Sequence, residues 1–317
     1  MTRTCSAAAK KGLYIAIVSA NRQIGQRFYR LSLNFKGAGT AAFSKVKPGQ
    51  FAQIDLSDAA LPLQENIPED LVDVSQRKIL LRRPFSFCNT IRKKSETIVE
   101  ILYCVVGPAS LRMTTLSKGD LISVIGPLGN GFSVPDGKKN ALLVVGGMGA
   151  GPLMQLARHL TENHPKINIT AFVGAKSKKE LPFEQKLDEI PQESALSLSE
   201  FAEYGIKSLV TTDDGSAGLK GFVTDHFKEW LDQCVPAAED TVIYSCGPEA
   251  MLAKVAEIAK EKKIDCQVCM ERMMACGIGL CQSCAVECRV EGSNETIYKL
   301  CCEDGPVFNS KEIVFKL

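Results

Sequence analysis

Residues 272–284 read Arg272-Met273-Met274-Ala275-Cys276-Gly277-Ile278-Gly279-Leu280-Cys281-Gln282-Ser283-Cys284, and an adjacent pair, Cys301-Cys302, follows. Three thiols spaced C-x4-C-x2-C with a distant fourth match the plant-type [2Fe–2S] arrangement. One loop must present three thiolates to a small rhombic cluster, and a separate segment must close the cage. Gly277 and Gly279 let such a loop turn tightly and bring backbone N–H groups toward sulfur. Zinc is the competing chemistry, because Cys266-x2-Cys269 and Cys281-x2-Cys284 resemble paired zinc knuckles; in the iron–sulfur reading Cys266, Cys269 and Cys288 are spare and expected as small core residues. Spacing alone leaves Cys301 and Cys302 both open as the fourth ligand. Neighbours in a strand point to opposite faces, so only one of them can face the cluster.

The rest of the chain limits what this cluster can belong to. Eight of the 13 cysteines lie between Cys266 and Cys302. The odd total and the crowding argue against a secreted disulfide framework and for metal ligation in a reducing compartment. With 317 residues, about two domains and a smaller third are expected. Lys and Arg number 38 against 36 Asp and Glu, a net charge of +2. No strong field draws nucleic acid or anionic lipid. The apolar stretch 13–18 is too short for a signal peptide, and 141–157 is broken by glycines and Pro152. A cytoplasmic protein with no membrane span is expected.

Upstream of the cysteines, strands and helices alternate. Strands are expected over 141–145, 167–173, 208–212 and 241–245, with helices over 153–160, 181–190, 223–233 and 249–263. That order predicts a mostly parallel α/β sheet. Its first turn, Gly146-Gly147-Met148-Gly149-Ala150-Gly151-Pro152, sits between strand and helix, where a dinucleotide pyrophosphate meets backbone N–H groups. Gly147, Gly149 and Gly151 are the candidate contacts. No acidic residue ends the next strand, so NAD and NADP are not distinguished by residues. Cys246-Gly247-Pro248 follows a later strand and falls beside the same crevice.

Residues 12–135 carry short β-rich runs at 13–18, 28–33, 51–56, 98–106 and 121–125, separated by turn signals. Residues 57–78, with Pro62 and Pro68, interrupt them as a loop or insertion. After this insertion a strand is expected, with Arg82-Arg83-Pro84-Phe85-Ser86 following at its end. An arginine can grip a pyrophosphate with two prongs, and the aromatic and hydroxyl that follow suit a ring system. The fold class expected is multidomain α+β: an antiparallel β-barrel (10–136), an α/β nucleotide domain (137–263) and a small cysteine module (264–317).

This order of motifs resembles the ferredoxin–NADP reductase superfamily. Within it, Arg272–Gly279 and Cys302-Glu303-Asp304-Gly305-Pro306-Val307-Phe308 resemble the electron transfer subunits of NAD-dependent dihydroorotate dehydrogenase B. Thr212–Ser216 and Gly221–Asp225 fit the same family. The resemblance implies FAD at Arg83, Pro84, Phe85, Ser86, Leu102, Tyr103, Cys104, Ala109 and Ser110. Ala109-Ser110 stands where the family shows Gly-Thr. It further implies NAD as co-substrate, Ser86 near the reactive flavin nitrogen, and Cys246 beside the nicotinamide. For the cluster it implies Cys276, Cys281, Cys284 and Cys302, the last lying two residues before Asp-Gly-Pro. The implied partner is an FMN-containing catalytic subunit in a heterotetramer of two of each chain, acting in pyrimidine biosynthesis. Two other readings compete: a diaphorase subunit of a transhydrogenase, hydrogenase or sulfur-reducing complex, and a non-catalytic zinc-binding interaction module. No histidine joins an acid–base constellation, and His159, His164 and His226 are expected at the surface.

Overall fold

The computed structural model describes residues 11–183, 198–234 and 236–316. The first sheet is built from β1 (Gly12–Gln23), β2 (Phe28–Lys36), β3 (Phe51–Ile54), β4 (Arg83–Ser86), β5 (Asn89–Arg92), β6 (Glu96–Cys104) and β7 (Leu121–Leu128). Short helices α1 (Ala38–Phe43), α2 (Val72–Ser75) and α3 (Pro108–Met113) lie between these strands. Its order is β4-β3-β7-β1-β2-β6-β5, with every pairing antiparallel. Alternation drives it. Ala16, Val18, Leu31, Leu33, Val99 and Ile101 are fully buried in one apolar core while their neighbours face out. The insertion 57–78 forms two 3-10 turns and α2, and seals this core with Leu71.

The second sheet contains β8 (Asn140–Gly146), β9 (Asn168–Ala175), β10 (Lys207–Thr212), β11 (Leu219–Lys220) and β12 (Thr241–Cys246). With them go α4 (Ala150–Asn163), α5 (Ser199–Ala202), α6 (Val223–Cys234) and α7 (Glu249–Lys262). Two more strands join from beyond the expected boundary at residue 263: β13 (Asp265–Cys269), parallel to β12, and β16 (Val307–Asn309), antiparallel to β13. The order is β11-β10-β9-β8-β12-β13-β16. Cys266 and Cys269 are therefore sheet residues, each 2% exposed, and serve there as small apolar side chains. The helix expected over 181–190 lies mostly outside the described residues. A separate hairpin, β14 (Ala285–Arg289) with β15 (Thr296–Leu300), carries the cysteine loop's downstream end.

These parts share apolar surface. Phe51 and Leu128 of the barrel, Val144 and Val268 of the parallel sheet, and Cys284, Cys302 and Phe308 lie in one buried cluster. Helix α4 docks on β5, where the Gln155 carboxamide donates to Thr90 Oγ1 (3.0 Å) and Arg158 donates to the Asn89 side chain. Among the described residues, no helix is long and apolar enough to cross a membrane.

Candidate functional site: a cysteine loop between two nucleotide-binding sheets

The cysteine loop winds through left-handed glycines, Gly277 (φ +70°) and Gly279 (φ +88°), and left-handed Gln282 (φ +58°). That winding aims amides at sulfur. Ile278 and Cys281 direct N–H groups at Cys276 Sγ, at 3.5 and 3.4 Å. The Cys302 N–H points at Cys284 Sγ, at 3.4 Å. The four cysteines thus fall into two neighbouring pairs, Cys276 with Cys281 and Cys284 with Cys302, each with one member's backbone N–H directed at the other's sulfur. No three His, Cys, Asp or Glu side chains among the described residues are gathered as ligands of a single ion. Two pairs suit a binuclear cluster, in which each iron takes two thiolates. Cys301 turns away, its thiol donating to the Met270 carbonyl at 3.4 Å.

Exposure divides the four. Cys284 and Cys302 are 2% and 1% exposed, whereas Cys281 is open to solvent. Hydrogen bonds from Ser283, then from Cys276, hold the Cys281 thiol down to about 6. Metal ligation requires thiolates, so this environment favours a ligand-ready sulfur. Met273, Ile278 and Leu280 are exposed apolar side chains around the loop.

Strand β4 presents Arg83-Pro84-Phe85-Ser86 along β3, in the pairs Ser86–Phe51, Phe85–Ala52, Pro84–Gln53 and Arg83–Ile54. The two arginines differ. Arg82 is fixed to Ser123 (2.8 Å to O, 2.9 Å to Oγ) and to Asp55 (3.0 Å). Among the described residues Arg83 reaches only the carbonyls of Leu81 and Arg82, and its fork is able to take an anion. Phe85 meets Tyr103 edge-on at 6.4 Å, and Tyr103 stacks on Tyr29 at 5.3 Å. Tyr103 is buried and its hydroxyl donates to Asn21 Oδ1, so it braces the barrel from inside. Leu102 and Cys104, its neighbours on β6, take the opposite side, and Leu102 packs toward the parallel sheet. Ala109 and Ser110 open α3. The Ser110 hydroxyl accepts the N–H groups of Val106 (2.9 Å) and Gly107 (3.2 Å), capping the helix.

At the end of β8, Gly147 (φ +49°) starts a 3-10 turn that leads into α4. Gly149 lies on Cys246 so closely that a Cβ there would overlap the Cys246 carbonyl. Gly151 lies toward Cys88 and Leu102 of the barrel, with room for a Cβ at 3.8 and 3.9 Å. Pro152 falls in the first helical turn, where a missing N–H costs nothing. Cys246 is 1% exposed, and its thiol is hydrogen-bonded to Cys269, its register partner on β13. This contact, with burial, pushes the Cys246 thiol well up. Gly247 and Pro248 then lead into α7.

Sequence reasoning missed two residues here. Glu271, exposed just before the loop, lies near Cys246 and Cys301. Gln53 is buried against Gly277, and its only signal was a polar residue inside the apolar run Phe51–Ile54. The histidines are half-buried rather than fully exposed. His159 and His164 lie 5.7 Å apart at the end of α4, where burial lowers His159.

An antiparallel barrel, a parallel nucleotide sheet and a cysteine loop between them define an oxidoreductase of the ferredoxin–NADP reductase kind. Solved structures share this fold. The structure described as "NADH-dependent reduced ferredoxin-NADP oxidoreductase" aligns with TM-score 0.69 at 26% identity, covering 95% of this chain and 90% of that one. Phthalate dioxygenase reductase aligns with TM-score 0.54 at 14% identity, over 91% and 77%. Residues 271–314 match the iron–sulfur cluster binding domain of dihydroorotate dehydrogenase B, and residues 143–257 match the oxidoreductase NAD-binding domain. The electron transfer subunit of dihydroorotate dehydrogenase B (NAD(+)) from Caldanaerobacter subterraneus is 31% identical over 95% of this chain and 98% of its own. That from Geobacillus thermodenitrificans is 34% identical over 94% and 96%. The chain belongs to the family of dihydroorotate dehydrogenase B (NAD(+)) electron transfer subunits.

Proposed function

We propose that this chain carries electrons from an FMN-containing dihydroorotate dehydrogenase catalytic subunit, through a [2Fe–2S] cluster and FAD, to NAD+. The observation that carries this reading is the two-by-two pairing of Cys276 with Cys281 and Cys284 with Cys302, set beside the Arg83–Ser86 strand. Bound FAD and cluster would supply the exchange between one-electron and hydride chemistry that no side chain provides.

The chain's own residues bind and orient. Cys276, Cys281, Cys284 and Cys302 would hold the two irons, and the amides of Ile278, Cys281 and Cys302 temper the charge on sulfur. Arg83 would grip the FAD pyrophosphate, Phe85 would flank the flavin, and the Ser86 hydroxyl would hold the reactive ring nitrogen. Ala109 and Ser110, at the start of α3, would lie beside the FAD phosphates, and Leu102 and Cys104 would line the junction. Gly147, Gly149 and Gly151 would admit the NAD pyrophosphate at the start of α4. Cys246, Gly247 and Pro248 would form the wall beside the nicotinamide. The apolar rim Met273, Ile278 and Leu280 suits contact with the catalytic subunit, in an assembly of two of each chain in the cytoplasm.

Anaerobic co-purification with the catalytic subunit tests this. Two irons, two sulfides and one FAD per copy of this chain are expected, with NAD+ reduced by dihydroorotate only when both chains are present. Cofactor-loaded protein that reduces dyes with NADH but ignores dihydroorotate would overturn the pathway. Zinc in place of iron would overturn the electron-transfer reading altogether.

A further inference from the structure

Gln53 sits in the middle of β3 with none of its surface exposed. Its neighbours Ala52 and Ile54 enter the barrel core, while Phe51 and Gln53 take the other face, where Phe51 packs with the buried cysteines of the C-terminal part. Neither Nε2 nor Oε1 of Gln53 has a hydrogen-bond partner among the described residues. A buried carboxamide left wholly unpaired is strongly disfavoured, so a group that satisfies it is expected. What it faces is the cysteine loop. A Cβ on Gly277 would stand 2.6 Å from Gln53 Cγ and 2.9 Å from Cδ, so only glycine lets the loop lie on this side chain. Gly277 directly follows Cys276. On its other side, Gln53 is in register with Pro84, one pair from Arg83–Ile54 and two from Ser86–Phe51.

We infer that Gln53 is a positioning residue of the iron–sulfur site, its Nε2–H donating to a sulfur of the cluster held by the Cys276 loop. The inference rests on the cluster reading given above. Gln53 ties the loop that carries the thiols, through its side chain, to β3, the strand whose backbone pairs with the flavin-motif strand β4. An N–H donated to sulfur favours the reduced, more negative cluster, because hydrogen bonds to the sulfurs set the potential. Gln53 therefore raises the cluster's potential relative to the flavin's and fixes the loop's distance from β4.

The test is a redox titration of the full-length, cofactor-loaded chain, following the cluster by EPR and the flavin by absorbance. Wild type is compared with Q53M, close in shape but lacking the donor, and with Q53H, which keeps an N–H. At a fixed potential, Q53M should show about tenfold less reduced cluster, about 59 mV for one electron. Its flavin midpoint should stay unchanged, and Q53H should recover most of the shift. Loss of iron from Q53M with retention in Q53H would also support the inference. A Q53M chain with full iron, unchanged EPR signal and unchanged cluster midpoint would overturn it, as would a Q53H chain that behaves like Q53M. Wild-type chain lacking iron and sulfide would fail differently, overturning the cluster reading and Gln53's role with it.

Discussion

Cys301 and Cys302 are adjacent in the chain and face opposite sides of it: the Cys301 thiol donates to the Met270 carbonyl, while Cys302 lies against Cys284. Both are buried and both touch Cys284, but Cys301 meets only its carbonyl through a backbone N–H (3.0 Å), while Cys302 lies on its sulfur. C302S should therefore lose most iron and sulfide, and C301S should keep both. Iron and acid-labile sulfide analysis of the purified variants checks this. Equal loss in the two would show that burial, not orientation, governs cluster retention.

Gly149 and Gly151 are two residues apart and differ in what they allow. A Cβ at Gly149 would overlap the Cys246 carbonyl, whereas at Gly151 it meets only ordinary contacts. G149A should destabilise the chain by about 3 kcal/mol through overpacking. G151A should be neutral, or gain up to about 1 kcal/mol in helix propensity. Urea midpoints of the two variants decide the matter.

Arg82 and Arg83 should separate stability from flavin binding. R82A removes the bonds to Ser123 and Asp55 and should lower the urea midpoint. R83A breaks only contacts to neighbouring carbonyls, and should retain the fold while losing FAD on gel filtration. Flavin content measured after desalting reports the difference.

Asp265, at the start of β13, gives an acid limb to stability. The hydrogen bond from Lys138, at 2.9 Å, holds its carboxyl below the ordinary value of 3.8. The folded form thus binds its proton less readily than the unfolded chain does. Its contribution is complete above about pH 4 and is lost as pH falls through the depressed folded value. D265N should be less stable than wild type at pH 7, and the gap should narrow as pH falls below the ordinary carboxyl value of 3.8. Chemical denaturation from pH 7 downward measures it.

Much of this was legible in the sequence, and the exceptions have physical causes. The strand–helix alternation from residue 141 placed β8, β9, β10 and β12 and the glycine turn, because buried parallel strands read as short apolar runs. The expected boundary at 263 leaves Asp265–Cys269 with the cysteine module, although of the two uses of a thiol, ligand or small core side chain, the iron–sulfur reading expects the second for Cys266 and Cys269. In the structure Cys266 and Cys269 do the second, inside the parallel sheet. A strand is expected just before Arg82, but residues 77–82 form none and the strand is the motif itself, β4, whose proline and half-exposed pattern give no alternation. The paired thiols Cys246 and Cys269 lie 23 positions apart and become neighbours only through β12–β13 register. Gln53 was invisible for a similar reason: its importance comes from Gly277, more than 200 residues downstream.

The central claim is that electrons reach NAD+ through the thiol-bound cluster of this chain. The most direct measurement is dihydroorotate-dependent NAD+ reduction by the paired subunits, with wild-type chain and with C302S compared at equal FAD content. The account predicts rapid NAD+ reduction in the first and its loss in the second, while both pairs still oxidise dihydroorotate with an artificial acceptor at the catalytic subunit. Undiminished NAD+ reduction by a C302S pair shown to lack iron would contradict it.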